Sequence, residues 1–361
     1  MARALQLAAR GQWTAAPNPC VGCVLVRDGV CIAEAWHVRA GEPHAEILAL
    51  QAAEGGAAGA TAYITLEPCS HYGRTPPCAD ALIEAGIARV VAAATDPNPR
   101  VAGGGLERLR DSGVAVAAGL MAAESERLNA GFFRRMRAGR PYVRAKLAAS
   151  LDGRTAMASG ESRWVTGAPA RRDVHRWRAA SGAVVTGVDT VIADDPALTV
   201  RDVDGDYRPP RRVVIDTDLR TPVDARLLTD ERGVVLVHGG TMPAREAERV
   251  HAGAELWQVA PGEEGHVRPD AVLAALADAD VNDVWVEAGS RLTGAWLQAG
   301  AVDELIVYMA PHFMGHEAQP LLTLPGLATM SDRLSLRRQD ARWVGEDLRL
   351  TLSLREQSED E

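Results

Sequence analysis

His44-Ala45-Glu46, Pro68-Cys69 and Cys78 supply one imidazole, two thiols and a carboxylate two residues from the histidine. These soft donors suit zinc. A zinc held by three protein ligands keeps a fourth position for water, whose pKa then falls to about 7. The chemistry in outline is hydrolytic, with Glu46 outside the ligand set as the proton shuttle. The alternative is a structural zinc knuckle in which Cys20 and Cys23 join Cys69 and Cys78. Against it, residues 21–26 and 30–35 read as a hairpin turning at Asp28-Gly29. Residues three apart on a strand point to opposite faces, so Cys20 and Cys23 make a poor chelating pair. Cys23 and Cys31 read instead as small buried apolar residues.

A second candidate is a lone side chain. Lys146 is the one lysine among 39 basic residues, the others all being arginine. A coding bias toward Ala, Gly, Arg and Pro explains the missing lysines and leaves the survivor unexplained. A compact ammonium approaches a reacting centre and shifts its pKa, whereas a guanidinium stays charged. Lys146 is therefore a candidate for a chemical role, with survival by chance as the alternative.

These residues must be placed by alternating elements. Strands fit 21–26, 30–35, 62–66 and 89–94, and helices fit 2–10, 44–53, 77–85 and 106–112. The pattern predicts a three-layer α/β/α domain. His44 and Cys78 then start helices, and a helix N-terminus should lower the Cys78 thiol pKa. Cys69 falls in the turn after strand 62–66, where open α/β sheets place their sites. A polar, Arg-rich helix runs from Ala122 through Asn129, Phe132, Phe133 and Met136, and the domain boundary is set at its end, giving domains 1–139 and 140–361. The second half predicts strands 141–148, 183–187, 211–216, 233–238, 283–287 and 304–310, with helices 168–179, 268–277 and 291–299. Within it, residues 284–295 read as a strand, a glycine-bearing turn and a helix start, a turn of the kind that lets backbone N–H groups approach a phosphate, the alternative being an ordinary strand-to-helix turn, which also uses glycine. Asp194 and Asp195 open a polar loop, where acids also serve simply to cap a turn. Residues 358–361 read as a frayed acidic tail.

Composition narrows the classes. At 361 residues the chain has material for two cores. No apolar run is long enough to span a membrane and no signal-peptide pattern opens the chain, so a cytoplasmic protein without a membrane partner is expected. Five cysteines at metal-like spacing favour a reducing compartment. A net charge of -9 argues against a nucleic-acid partner.

Taken together, the chain closely resembles the RibD family, the bifunctional deaminase/reductases of bacterial riboflavin biosynthesis. The first half carries Pro17-Asn18-Pro19-Cys20-Val21-Gly22-Cys23, Gly41-Glu42-Pro43-His44-Ala45-Glu46 and Leu66-Glu67-Pro68-Cys69-Ser70-His71-Tyr72-Gly73-Arg74-Thr75-Pro76-Pro77-Cys78. Zinc nucleobase deaminases usually space their cysteines as Cys-x-x-Cys; the eight residues between Cys69 and Cys78 are this family's own form. The second half matches through Lys146 to Ala156, Gly160 to Trp164, Asp194 to Arg201 and Val286 to Gly289.

The resemblance implies a cytidine-deaminase-like first domain and a dihydrofolate-reductase-like second one. Its shared small-molecule substrate is a phosphorylated pyrimidine, 2,5-diamino-6-(5-phosphoribosylamino)pyrimidin-4-one, and a homo-oligomer is expected. His44, Cys69 and Cys78 would hold one zinc, Glu46 would relay protons, and Asn18 would bind the base, the alternative being a turn-forming Asn-Pro. His71 and Arg74 would reach the ribose phosphate, or be solvated loop residues. The second domain would deliver hydride from NADPH to C1 of the opened sugar. Ala148, Trp164, Thr190, Asp194, Thr217, Gly289, Ser290, Arg291, Leu292, Thr293, Gly294 and Ala295 would surround NADPH. Ser162, Arg178, Leu198, Arg201 and Glu287 would surround the substrate, the two arginines facing its phosphate. Trp164 and Leu198 would otherwise be ordinary core residues. Thr217 stands where family members often carry serine and keeps the hydroxyl. Lys146 and Asp194 would be the polar groups nearest hydride transfer.

Three other readings fit parts of the chain. One is a single-activity zinc deaminase with a non-catalytic second domain, another a deaminase acting on nucleic acid. The third is a zinc-stabilised regulator, in which Glu46 would have no role.

Overall fold

The computed structural model describes residues 1–70, 76–99, 102–230, 232–262 and 265–354. They form two compact units, Met1–Arg140 with Asp206–Arg208, and Pro141–Gly205 with Pro209–Glu361.

In the first unit, β1 (Gly22–Arg27) and β2 (Val30–Trp36) form the expected hairpin, with positive φ at Asp28 and Gly29, 52° and 79°. The sheet adds β3 (Thr61–Leu66), β4 (Arg89–Ala94) and β5 (Ala115–Ala118) in the order β2-β1-β3-β4-β5. Alternation along β1 explains the layers. Val24 meets Ala4 and Leu7 of α1 (Ala2–Ala8) on one face. Cys23 and Leu25 meet the other helical layer, α2 (Ala45–Ala52), α3 (Cys78–Glu84) and α4 (Gly104–Asp111), through Ala49, Leu82 and Leu109. The three-layer expectation holds.

Two expectations fail here. Cys31 is exposed, because residues 27–31 form a hairpin tip that projects beyond the packed layers. The Arg-rich helix is broken into α5 (Ala122–Leu128) and α6 (Ala130–Ala138). Asn129 sits at the break with non-helical dihedrals, its amide accepting from Cys20 N at 2.7 Å and donating to Cys20 O at 3.0 Å. A tertiary bracket of this kind outweighs the local preference to continue the helix.

The second unit begins with β6 (Tyr142–Ser150), β7 (Arg154–Ala156), α7 (Ala168–Ala179), β8 (Ala183–Gly187), α8 (Val188–Asp194) and β9 (Arg211–Ile215). It continues through α9 (Arg226–Thr229), β10 (Val234–His238), α10 (Pro243–His251), β11 (Ala254–Gln258), α11 (Pro269–Asp278) and β12 (Asp283–Val286). The last elements are α12 (Ser290–Gln298), β13 (Glu304–Ala310), β14 (Gln319–Pro320), β15 (Leu336–Val344) and β16 (Asp347–Leu354). Nine strands form one sheet, β11-β10-β9-β8-β12-β6-β13-β16-β15, parallel from β11 to β13 and antiparallel thereafter. The parallel strands are covered on both faces, which is why they are rich in valine.

Alternation also assigns the faces. Val143, Ala145, Leu147 and Val286 pack with Leu273 of α11 and Trp296 of α12. Val184, Trp285, Ile306 and Tyr308 pack with Ala170 and Val174 of α7. Lys146, paired with Ile306, and Glu287, two residues past Trp285, fall on the α7 face.

Candidate active sites

In the first unit, His44 caps α2, Cys78 opens α3 after Pro77, and Cys69 follows β3. His44 Nδ1 lies 3.2 Å from Cys78 Sγ and 3.7 Å from Cys69 Sγ, and all three donor atoms lie within 4.8 Å of one another. Ligands of a tetrahedral zinc with these bond lengths stand about 3.6 Å apart, so the trio fits the ion. Cys20 and Cys23 are outside the cluster, which removes the four-thiolate arrangement.

Glu46, on the first turn of α2, is 3 % exposed, and its Oε2 has no hydrogen-bond partner. Burial pushes its carboxyl pKa up. A buried carboxylate oxygen left without a donor beside three metal-binding atoms fits a proton carrier for a ligand not yet in place. The thiols depart from expectation. Cys69, not Cys78, is the more acidic, because the Cys78 thiol donates to it, as does the first N–H of α3 at 3.2 Å.

Two supporting residues escaped the sequence reading. Asn18 Nδ2 donates to His37 Nε2 at 3.1 Å, and His37 Nδ1 donates to Pro43 O at 3.2 Å, which fixes the ring tautomer. Asn18 is thus committed through its nitrogen to a side chain, not to its own turn. His37 also stands edge-on to His44, with ring centroids 5.5 Å apart. Glu67, next to Pro68-Cys69, accepts four backbone N–H bonds: from Asp96 and Gly103 on Oε2, and from Gly105 and Leu106 on Oε1, at 2.9–3.2 Å. Gly105 is required there, since a Cβ would lie 1.9 Å from Pro68 O. His71 and Arg74 lie outside the described residues.

The second unit holds a cleft of about 1090 Å³. Of the residues expected around NADPH and substrate, Lys146, Ala148, Ser162, Trp164, Arg178, Thr190, Asp194, Leu198, Arg201, Glu287, Gly289 and Ser290 line it. Its volume reaches the upper end of ligand sites, about 300–1,000 Å³, and so has room for a cofactor beside a substrate. Gly289 caps α12, and a Cβ there would meet only open space, a backbone that a cofactor phosphate can approach.

Lys146 lies among Glu287 and Arg178. Burial lowers its pKa, Glu287 opposing and Arg178 adding to the shift. Glu287 also accepts from Trp285 Nε1 at 2.8 Å; burial opposes its ionisation, but Arg178 and Lys146 hold its carboxyl down at about 2. Asp194 is beside Arg163, whose guanidinium donates to the Asp194 carbonyl at 2.8 Å. Asp195 caps the first N–H of α9 at 2.8 Å, the ordinary role foreseen for that loop.

The structure sets the remaining positions as follows. Trp164 is 68 % exposed beneath the Arg171 guanidinium, so it is no core residue, whereas Leu198 is buried against Val184 and Trp285. The Arg178 guanidinium is occupied by Glu287 and by Thr199 O. Thr217, Arg291, Leu292, Thr293, Gly294 and Ala295 do not line the cleft. The Thr217 hydroxyl accepts from Val267 N at 3.3 Å, and Thr293 and Gly294 turn inward, where a Cβ on Gly294 would lie 2.0 Å from Thr323 O.

Comparison with known proteins accounts for nearly the whole chain. Residues 141–350 match the RibD C-terminal domain, and residues 1–94 match the cytidine and deoxycytidylate deaminase zinc-binding region. The riboflavin biosynthesis protein RibD of Escherichia coli K12 is 52 % identical over 98 % of each chain. Acinetobacter baumannii RibD superposes with a TM-score of 0.90 at 43 % identity, covering 98 % of both chains. A diaminohydroxyphosphoribosylaminopyrimidine deaminase/5-amino-6-(5-phosphoribosylamino)uracil reductase from Thermotoga maritima gives 0.86 at 30 % identity, over 98 % of this chain and 97 % of that one. The first unit is thus cytidine-deaminase-like and the second dihydrofolate-reductase-like, both as expected. With two such units in this order and full-length identity above half, the chain belongs to the RibD family of riboflavin biosynthesis proteins.

Proposed function

We propose that the protein is a bifunctional enzyme of riboflavin biosynthesis, with residues 1–139 as the deaminase domain and 140–361 as the reductase domain. The first hydrolyses the 2-amino group of the phosphoribosylamino-pyrimidine, and the second reduces its ribosyl group to ribityl. The observation that carries the reading is the buried, unpartnered Glu46 Oε2 beside the His44, Cys69 and Cys78 donors.

When bound by His44 Nδ1, Cys69 Sγ and Cys78 Sγ, zinc supplies Lewis acidity that makes water nucleophilic at neutral pH. Glu46 takes the proton from the attacking water and passes it to the departing amine; its raised pKa suits both steps. Asn18, its nitrogen held by His37, offers Oδ1 to a donor on the base. In the second cleft Gly289 and Ser290 would hold the phosphates of NADPH, which when bound would supply the hydride. Lys146, its proton loosened by burial, serves proton transfer as the sugar ring opens. Asp194 orders the rim through Arg163.

A non-catalytic second domain is not favoured, because the one lysine and its acidic partner converge in a formed cleft. Among the described residues no helix is long and apolar enough to cross a membrane. The family and the charge of -9 support a cytoplasmic homo-oligomer with no nucleic-acid partner. The test is ammonia release from the diamino substrate: it should vanish on zinc chelation and return with zinc. Unchanged release from metal-free protein would refute the hydrolytic assignment.

A further inference from the structure

α7 presents Arg171, Arg172, His175 and Arg178 to the second cleft, three or four residues apart on one helical face. His175 is 8 % exposed. Its Nδ1 lies 3.3 Å from the backbone N of Arg201. That backbone group only donates, so Nδ1 is the unprotonated nitrogen and the proton of the neutral ring sits on Nε2. Burial, then the Arg178 and Arg201 guanidiniums, disfavour the imidazolium, with Glu287 and Asp202 opposing. The ring is therefore a fixed N–H donor at neutral pH. Among the described residues nothing accepts a hydrogen bond from Nε2.

The surrounding cations point to what does. Arg178 is held by Glu287, and Arg171 donates to Thr166 O. Arg172 and Arg201 have no side-chain partner among the described residues. Arg172 lies one turn from His175 on α7, and Arg201 is the residue whose backbone His175 holds. An N–H donor that lines the same cleft as two uncommitted guanidiniums matches a phosphate monoester.

Resting on the reductase reading above, we propose that His175 receives the sugar phosphate of the reductase substrate. Nε2–H donates to a phosphate oxygen, while Nδ1 holds the Arg201 backbone so that its guanidinium flanks the same anion. This adds His175 and Arg172 to the phosphate contact that the resemblance places on Arg178 and Arg201.

The test uses the full-length enzyme, the deaminated substrate and its dephosphorylated analogue, and the variants His175→Ala, His175→Asn and His175→Gln. Asn keeps an acceptor near the Nδ1 position, and Gln keeps a donor near Nε2. Expected for His175→Ala is a rise in substrate KM of about tenfold or more, with KM for NADPH and deaminase rate unchanged. His175→Asn and His175→Gln should each recover part of the loss, and KM for the dephosphorylated analogue should be indifferent to all three changes. An equal loss with the dephosphorylated analogue would overturn the proposal. So would a rise in KM for NADPH instead, which would put His175 on a cofactor phosphate, or an unchanged substrate KM with a lowered melting temperature. Wild-type enzyme that reduced neither compound would refute the reductase reading and this assignment with it.

Discussion

Arg178 grips Glu287 through two parallel bonds, Nε to Oε1 at 2.5 Å and Nη2 to Oε2 at 2.8 Å, with both side chains largely buried on the α7 face of the sheet. Such a pair is costly to assemble and costlier to break, because removing one partner strands the other charge. Glu287→Gln should lower the stability of the second unit by about 3–5 kcal/mol, read as an earlier thermal transition. A change below about 1 kcal/mol would mean that the pair is effectively solvated.

The same pair predicts a pH dependence. Glu287 has its folded pKa held at about 2 against an ordinary 4.5, so its contribution is fully present above about pH 4.5 and fades as pH falls toward 2. Wild type should lose its advantage over Glu287→Gln across that window, by about 3 kcal/mol in all. Denaturant titrations of both proteins at pH 6, 4 and 3 would check it; a constant difference would contradict it.

Glu46→Gln should cut deamination by roughly 10²–10⁴-fold, the usual worth of a positioned proton carrier. Since Oε2 satisfies no protein donor, the change should leave folding stability unaltered or slightly raised. Ammonia release paired with a thermal melt measures both, and a large loss of stability would show that Glu46 is structural.

Glu67→Gln keeps the shape of the side chain but turns an NH₂ toward two of four backbone N–H donors. About 1–3 kcal/mol is at stake for each orphaned donor. Because Glu67 joins the start of α4 to the Pro68-Cys69 turn, the variant should release zinc faster to a chelator. Wild-type release rates would confine Glu67 to the fold.

Gly294→Ala weighs two effects of opposite sign. Alanine gains about 1 kcal/mol as a helix former, yet its Cβ would sit 2.0 Å from Thr323 O in backbone that must shift. Net destabilisation is expected in thermal melts; a stabilised variant would mean that α12 is free to move.

Residues whose neighbours are close in sequence, or set by strand alternation, were legible in advance. His44 and Glu46 on one helical turn, Cys78 after two prolines and the Asp28-Gly29 hairpin all follow from local rules, and so do the valine-rich parallel strands. What stayed hidden depends on distant partners. The break at Asn129 comes from Cys20, the four donors on Glu67 come from residues 96–106, and the tautomer of His175 comes from Arg201. β15 is exposed almost throughout and rich in arginine, so no apolar period marks it. Of Gly289 to Ala295, only Gly289 and Ser290 line the cleft, since a helix turns successive residues away from any one surface.

The central claim is two independent sites on one chain, and the most direct measurement supplies deaminated intermediate and NADPH to Glu46→Gln and to Lys146→Met. Glu46→Gln should oxidise NADPH at the wild-type rate while releasing ammonia from the diamino substrate at least about 10²-fold more slowly; Lys146→Met should do the reverse. Loss of NADPH oxidation in Glu46→Gln, with the supplied intermediate present, would contradict the account.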